Sequence, residues 1–197
     1  MTEILTKIVI VPGWFNSGPG HWQTIWADSL PNAVRVEQKD WAVPTRTAWV
    51  DMLGETILRQ GEPVIVVSHS LGCITTLHLP HEVSQAIAGA LLVAPADPTG
   101  QAQLTEFAPV PTARLPYPSL LVASTDDPFC ALPTARDYAR QWGSDLEVIH
   151  DAGHINVDSG FGDWPQGTAL LHSVIQRSGR ARSSIRRHES LEQPDRT

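Results

Sequence analysis

The segment Val64-Ile-Val-Val-Ser-His-Ser-Leu-Gly72 constrains this chain more than any other. Its first four residues are β-branched and apolar, the pattern of a strand buried on both faces, and Leu71 to Leu79 suits a helix. Between them, Ser68-His-Ser-Leu-Gly72 must carry the backbone from strand to helix in almost no length. That is a near-match to the G-x-S-x-G turn, in which a serine occupies a strained position and the residues two before and two after it must be small. Ser68 and Gly72 are the small neighbours, so serine replaces glycine at the first of these positions. Ser70 is thereby marked as a candidate nucleophile held at the end of a strand.

Other apolar runs place this turn in a larger frame. Ile8 to Val11, Ala90 to Val93 and Leu120 to Ala123 read as buried parallel strands, with Ala33 to Glu37 and Leu146 to His150 as weaker ones. Helix-length segments alternate with them over Gly20 to Ser29, Arg46 to Arg59, Leu71 to Leu79, Pro133 to Trp142 and Gln166 to Gln176. The alternation predicts an α/β fold: a doubly wound, mostly parallel sheet, whose ligands bind at the carboxyl ends of the strands. A chain of 197 residues with 42% hydrophobic content supports one sizeable core. We expect a single domain over 1–177. From 178 to 197 the chain turns basic and Ser/Arg-rich, with Arg180, Arg182, Arg186 and Arg187, and this tail is expected to be disordered.

The net charge of −7 disfavours a duplex nucleic-acid binder, because no global positive field gathers phosphates. A neutral or cationic small substrate suits it better. Met1 to Lys7 leads into the first strand without the features of a signal peptide, and no apolar run has the length of a membrane span. A cytoplasmic protein with no membrane attachment is the expectation. Cys73 and Cys130 are too few for a disulfide framework and are read as small buried residues.

With Ser70 as nucleophile, the order serine, acid, histidine directs attention to the loops after the last two strands. Ser124-Thr-Asp-Asp-Pro128 offers Asp127 as the acid, with Asp126 as its competitor and more suited to shaping the turn. Asp151-Ala-Gly-His154 offers His154 as the base. An oxyanion hole requires two backbone N–H groups; Leu71 supplies one and Trp14, beside the tightly turning Gly13, the other. Taken singly, Ser70 would suit a helix N-cap, His154 a surface loop and Asp-Asp-Pro a common turn; their joint order and placement favour chemistry. His69 is read as orienting the turn. His150 and His154, four apart, would need a helix and a further ligand to bind metal, and Gly153 argues for a loop. No metal is expected.

At this point the chain resembles the small single-domain α/β-hydrolases typified by bacterial YdeN and the animal retinoblastoma-binding protein 9. The likeness spans about Lys7 to Gln176. It rests on Val11-Pro-Gly-Trp14, Ser17, His21-Trp-Gln23 and Trp26, on His69-Ser-Leu-Gly72, on Ser124-Thr-Asp-Asp-Pro128, and on Gly153-His154 with Asn156. The resemblance implies a serine hydrolase without cofactor, and its serine, aspartate and histidine fall on Ser70, Asp127 and His154. Ser68 and the basic tail depart from the family pattern.

About 25 residues separate Val93 from Leu120, too few for a large lid. A shallow, open site follows, with Gly13, Phe15, Trp41 and Phe129 as expected substrate contacts and Asp97 available to a polar group. The reading is a carboxylesterase-like enzyme that cleaves small ester substrates through an acyl-enzyme. The alternatives are an aminopeptidase or amidase with the same three groups, and a non-catalytic binding module on the same fold.

Overall fold

Strands covered on both faces need apolar side chains at consecutive positions, and successive residues then feed opposite layers. In the computed structural model, which describes residues 6–191 and, within them, the side chains of all but 182 and 184–191, the expected runs do this. The order is β1 (Ile8–Val11), α1 (Trp22–Ser29), β2 (Ala33–Arg35), α2 (Arg46–Leu58), β3 (Val64–His69), α3 (Leu71–Leu77), α4 (His81–Ser84), β4 (Ile87–Val93), β5 (Ser119–Ser124), α5 (Leu132–Trp142), β6 (Asp145–Ile149) and α6 (Pro165–Leu191). Val9, Val11, Val64, Val66 and Leu92 face one core layer, together with Trp49 and Leu53 of α2 and Trp142 of α5. Ile8, Ile10, Ile65, Val67 and Leu91 face the other, with Trp22 and Trp26 of α1 and Leu171 and Val174 of α6.

The six strands form one sheet in the order β2-β1-β3-β4-β5-β6, and every described pairing is parallel. The chain leaves β1 toward one edge and returns to its other side at β3. That reversal opens a crevice between the carboxyl ends of β1 and β3, where open α/β sheets bind ligands. The turn at Ser70 lies at this point.

Two features differ from expectation. The change to a basic composition at 178 is not a break: α6 runs from Pro165 to Leu191. Ser178 is buried, its hydroxyl donates to the Val174 carbonyl at 2.8 Å, and it lies over Gly89 of β4, where an added Cβ would collide with its Oγ. The domain therefore extends past 177, because a small residue facing a glycine lets helix and sheet approach closely. The disorder expected of 192–197 lies outside the described residues. Secondly, α4 and a 3-10 turn over Ala102–Phe107 were not anticipated. This 3-10 turn fills the short connection between β4 and β5, where a large lid would otherwise insert.

The close approach of β1 to α3 depends on Gly72. A Cβ there would meet the Val11 carbonyl oxygen and lie 2.7 Å from the Pro12 carbonyl oxygen. Gly72→Ala is expected to lose about 2–3 kcal/mol of stability, as overpacking against fixed backbone does. Urea unfolding measures this; an unchanged midpoint would mean that β1 can draw back without cost.

Candidate active site

Ser70 joins β3 to α3 with φ 55° and ψ −124°, outside the comfortable regions for any residue with a side chain. Such conformations cost on the order of 1–3 kcal/mol and persist only where surrounding packing imposes them. Here the imposition comes from both sides. Gly72 allows α3 to start against the end of β1, and an added Cβ on Gly13 would stand 2.7 Å from Ser70 Cβ and 3.3 Å from its Oγ. Although Ser70 precedes α3, its hydroxyl makes no capping bond to the helix. It points instead to His154 Nε2, 2.9 Å away.

Serine at position 68 is accommodated by hydrogen bonding. Thr76 Oγ1 donates to the Gly72 carbonyl at 2.8 Å, so the 2.8 Å contact between Ser68 and Thr76 must have Ser68 as donor. The buried hydroxyl is satisfied and braces the first turn of α3.

His154 Nδ1 lies 2.9 Å from both carboxylate oxygens of Asp127, to which it donates. This fixes the neutral tautomer with Nε2 free to accept the Ser70 proton. Asp127 also accepts the Phe129 N–H at 2.9 Å, and its side chain is only 3% exposed. Asp126 does something different. It accepts from the Ser124 hydroxyl at 2.6 Å and from the Gly153 N–H at 2.7 Å, and these bonds hold its carboxyl below the ordinary carboxylate range.

The loop carrying His154 is tied from several elements. The Ser124 hydroxyl accepts from Ala152 N–H at 3.1 Å, and Ser159 Oγ accepts from His154 N–H at 3.1 Å. His69 Nε2–H donates to the His154 carbonyl at 2.9 Å, and Trp22 Nε1–H donates to the Ile155 carbonyl at 2.9 Å. Asp151 and Ile155 both hold positive φ in this loop. All six described non-glycine residues with positive φ, including Phe15, Asn16, Ser70 and Ala94, follow the carboxyl ends of strands. Strain is concentrated on the face that carries the site.

Across the crevice, the loop after β1 is held by a polar network. Gln23, fully buried, donates from its amide to the Val11 carbonyl at 3.0 Å and to the Val67 carbonyl at 3.1 Å, bridging the strand ends that flank the crevice. Arg35 of β2 donates to Ser17 O at 2.7 Å and to the Asn16 side chain. Phe15 N–H donates to Trp41 O at 3.1 Å. No hydrogen bond engages the Trp14 or Leu71 backbone N–H among the described residues, so both remain available as donors.

A pocket of about 340 Å³ opens over Ser70, near the lower end of the roughly 300–1,000 Å³ usual for small-molecule sites. Trp14, Phe15, Asp97 and Phe129 line it, together with Leu104 from the 3-10 turn. Trp14 and Phe15 stack at 4.6 Å, and Phe129 packs on His154 at 4.5 Å. Gly13 touches the serine rather than the pocket wall. Trp41, expected as a substrate contact, is not in that wall: its ring packs on Trp49 at 5.6 Å, and only its carbonyl serves the site, through Phe15. His21, Asn16 and Asn156, unforeseen as lining residues, belong to the wall. Their nearest signal was the His21-Trp-Gln23 and Asn156 pattern of the resemblance, which carries no direction for a side chain. Cys73 and Cys130 are free and buried; burial raises both thiols, Cys130 to about 12, so neither is an available thiolate.

Sheet, crevice and hydrogen-bonded Ser-His-Asp line together define an α/β hydrolase. The family model described as serine hydrolase matches residues 8–173, and the chain belongs to that family. A YdeN-like hydrolase of Pectobacterium atrosepticum is 31% identical, with a TM-score of 0.81 over 88% of this chain and 92% of the other. The ydeN gene product of Bacillus subtilis shares the fold at 22% identity and TM-score 0.71, over 87% of this chain and 100% of the other. A thermophilic esterase of Thermogutta terrifontis shares it at 14% identity and TM-score 0.66, over 88% and 90%. Comparison with curated proteins finds no match. No helix among the described residues is long and apolar enough to cross a membrane.

Burial dominates the protonation of two further histidines. It lowers His69 well below 6.5, with His154 and His21 adding to the effect; it lowers His21 to about 4, with Arg35 and His154 adding to it. Both are neutral in the fold, so unfolding in acid takes up protons. The stability they contribute is complete above pH 6.5 and is lost as pH falls through 6.5, for His21 down to about 4. His21 alone accounts for roughly 3 kcal/mol over that window. Urea unfolding of His21→Asn is expected to show a correspondingly shallower acid decline, and a wild-type profile flat from pH 6.5 to 4 would contradict the burial account.

Proposed function

We propose that the protein is a carboxylesterase-type serine hydrolase acting on small esters through Ser70, His154 and Asp127. The observation that carries this is the unbroken line of 2.9 Å contacts from Ser70 Oγ to His154 Nε2 and from His154 Nδ1 to Asp127. Ser70 Oγ attacks the ester carbonyl carbon while its proton passes to His154 Nε2, and Asp127 stabilises the imidazolium. Leu71 and Trp14 N–H groups hold the oxyanion of the tetrahedral intermediate. Collapse breaks the bond to the alkoxide, which takes the proton from His154; water then repeats the sequence on the acyl-enzyme, releasing the acid and restoring Ser70. Esters come first because an alkoxide leaves with less assistance than an amine, whose departure demands well-placed protonation.

A second reading, hydrolysis of amides that carry a free amine, is favoured by the charge of the wall. Asp97 and Asp158 line the pocket and, among the described residues, no Lys or Arg does. Turnover of amino-acid p-nitroanilides would select it.

A fluorophosphonate probe is expected to label the wild type, and neither Ser70→Ala nor His154→Ala, with p-nitrophenyl acetate hydrolysis falling in parallel. Asp127→Asn should lower kcat about 10³–10⁴-fold while leaving the fold intact. A folded wild type that resists the probe would favour the binding-module alternative. The short cap between β4 and β5 also predicts faster turnover of acetyl and butyryl esters than of acyl chains beyond about eight carbons. Equal rates on long chains would refute that preference.

A further inference from the structure

Among the polar side chains of this pocket to which the reaction above assigns no task, His21 is a largely buried one with a defined tautomer. It precedes α1 and caps it: Nδ1 accepts the Gln23 N–H at 3.1 Å. An imidazole that accepts at Nδ1 and stays neutral carries its proton on Nε2. Burial keeps it neutral across the physiological range. The residue is only 5% exposed, yet it forms part of the pocket wall with Ser70 and His154, and Nε2 has no hydrogen-bond partner among the described residues. Nor is Nε2 among the polar atoms sealed from solvent without a partner, so it keeps accessible surface in a residue that lines the pocket.

Capping alone does not account for an imidazole here. Ser, Thr, Asp or Asn would cap the helix with a shorter side chain. What histidine adds is a ring packed at 5.0 Å from His69 and 5.3 Å from Trp22, which fixes its orientation, and one N–H donor with no protein acceptor. A largely buried donor left unpaired costs on the order of 1–3 kcal/mol unless water or ligand completes it. His21 shares the pocket wall with Ser70 and His154, and the His69 ring stands between its ring and that of His154, at 5.0 and 4.8 Å.

Building on the esterase reading, we propose that His21 is a substrate-binding residue. Its Nε2–H donates to a second, neutral oxygen of the substrate, an ether, hydroxyl or keto oxygen close to the scissile ester. A neutral acceptor is favoured over a carboxylate because Asp97 and Asp158 share the wall without any cationic side chain. The substrate class is thus an oxygenated ester rather than a plain alkyl one.

Two matched pairs test this: p-nitrophenyl methoxyacetate against p-nitrophenyl butyrate for the acyl side, and 2-methoxyethyl acetate against butyl acetate for the alcohol side. Each pair exchanges one methylene for oxygen. The ratio of kcat/KM within a pair, compared between wild type and variant, cancels intrinsic reactivity. His21→Asn keeps a capping oxygen but cannot reach as Nε2 does, and His21→Phe keeps the ring volume without the donor. In both, the ratio for one pair is expected to fall about tenfold, and the affected pair identifies the side of the substrate that His21 holds. A second readout needs no turnover: in Ser70→Ala protein, the His21 Nε2–H resonance should move downfield on adding the methoxy member of that pair and not its alkyl partner. Ratios unchanged within about twofold in both variants, or a resonance indifferent to both methoxy compounds, overturn the proposal. If folded wild type hydrolyses none of the four, the esterase reading fails and the resonance alone decides the role of His21.

Discussion

Everything at the site depends on how closely the turn after β3 presses on the end of β1. Ser70 keeps a strained backbone because it has nowhere else to go: Gly72 lies under the Val11 and Pro12 carbonyls, and Gly13 lies against the serine itself. Gln23 locks this contact by bonding both strand ends with one amide. Ser70 Oγ and the free N–H groups of Leu71 and Trp14 are thereby held on the same crevice. A fixed set of donors costs no reorganisation when charge develops near them.

The same economy governs the histidine side. Five side chains bond backbone atoms between Ala152 and Ile155, and two of them, His69 and Trp22, are buried neutral donors. Two carboxylates there are bonded: Asp127 to His154 and Phe129, Asp126 to Ser124 and Gly153. Neighbouring carboxylates therefore divide the work, one holding the imidazole and the other holding the loop that carries it. The bonds to the loop backbone fix where His154 stands, and the bond to Asp127 fixes how its ring turns, the condition for a site whose geometry survives thermal motion.

How much of this was legible varies residue by residue. That Ser70, His154 and the Asp126-Asp127 loop would meet was readable because each follows a recognisable buried strand, and parallel strands deliver their carboxyl ends to one edge. Trp41 was misread because a loop tryptophan's direction is set by its packing partner, Trp49, which is remote from any motif. The network of Gln23, Arg35 and Asn16 left no periodic trace, since its bonds join β1, α1, β2 and β3 at single atoms. The length of α6 was hidden for a related reason. Its basic, serine-rich stretch lacks an apolar stripe, yet Ser178 packs because Gly89 makes room for it.

By itself, the sequence determined the layers and the edge: consecutive β-branched residues can be buried on both faces only in a covered parallel sheet, and the small residues around Ser70 permit one sharp turn. Chain order then determined which loops could supply the acid and base. Only the tertiary structure shows which of Asp126 and Asp127 bonds His154, because both sit in one short loop and differ in which way each carboxylate turns. It alone decided the pocket wall, turning Trp41 away and His21 inward, because those directions come from contacts between residues far apart in the chain. Local chemistry is written in short runs of residues; the direction of a side chain is settled by what the fold brings against it.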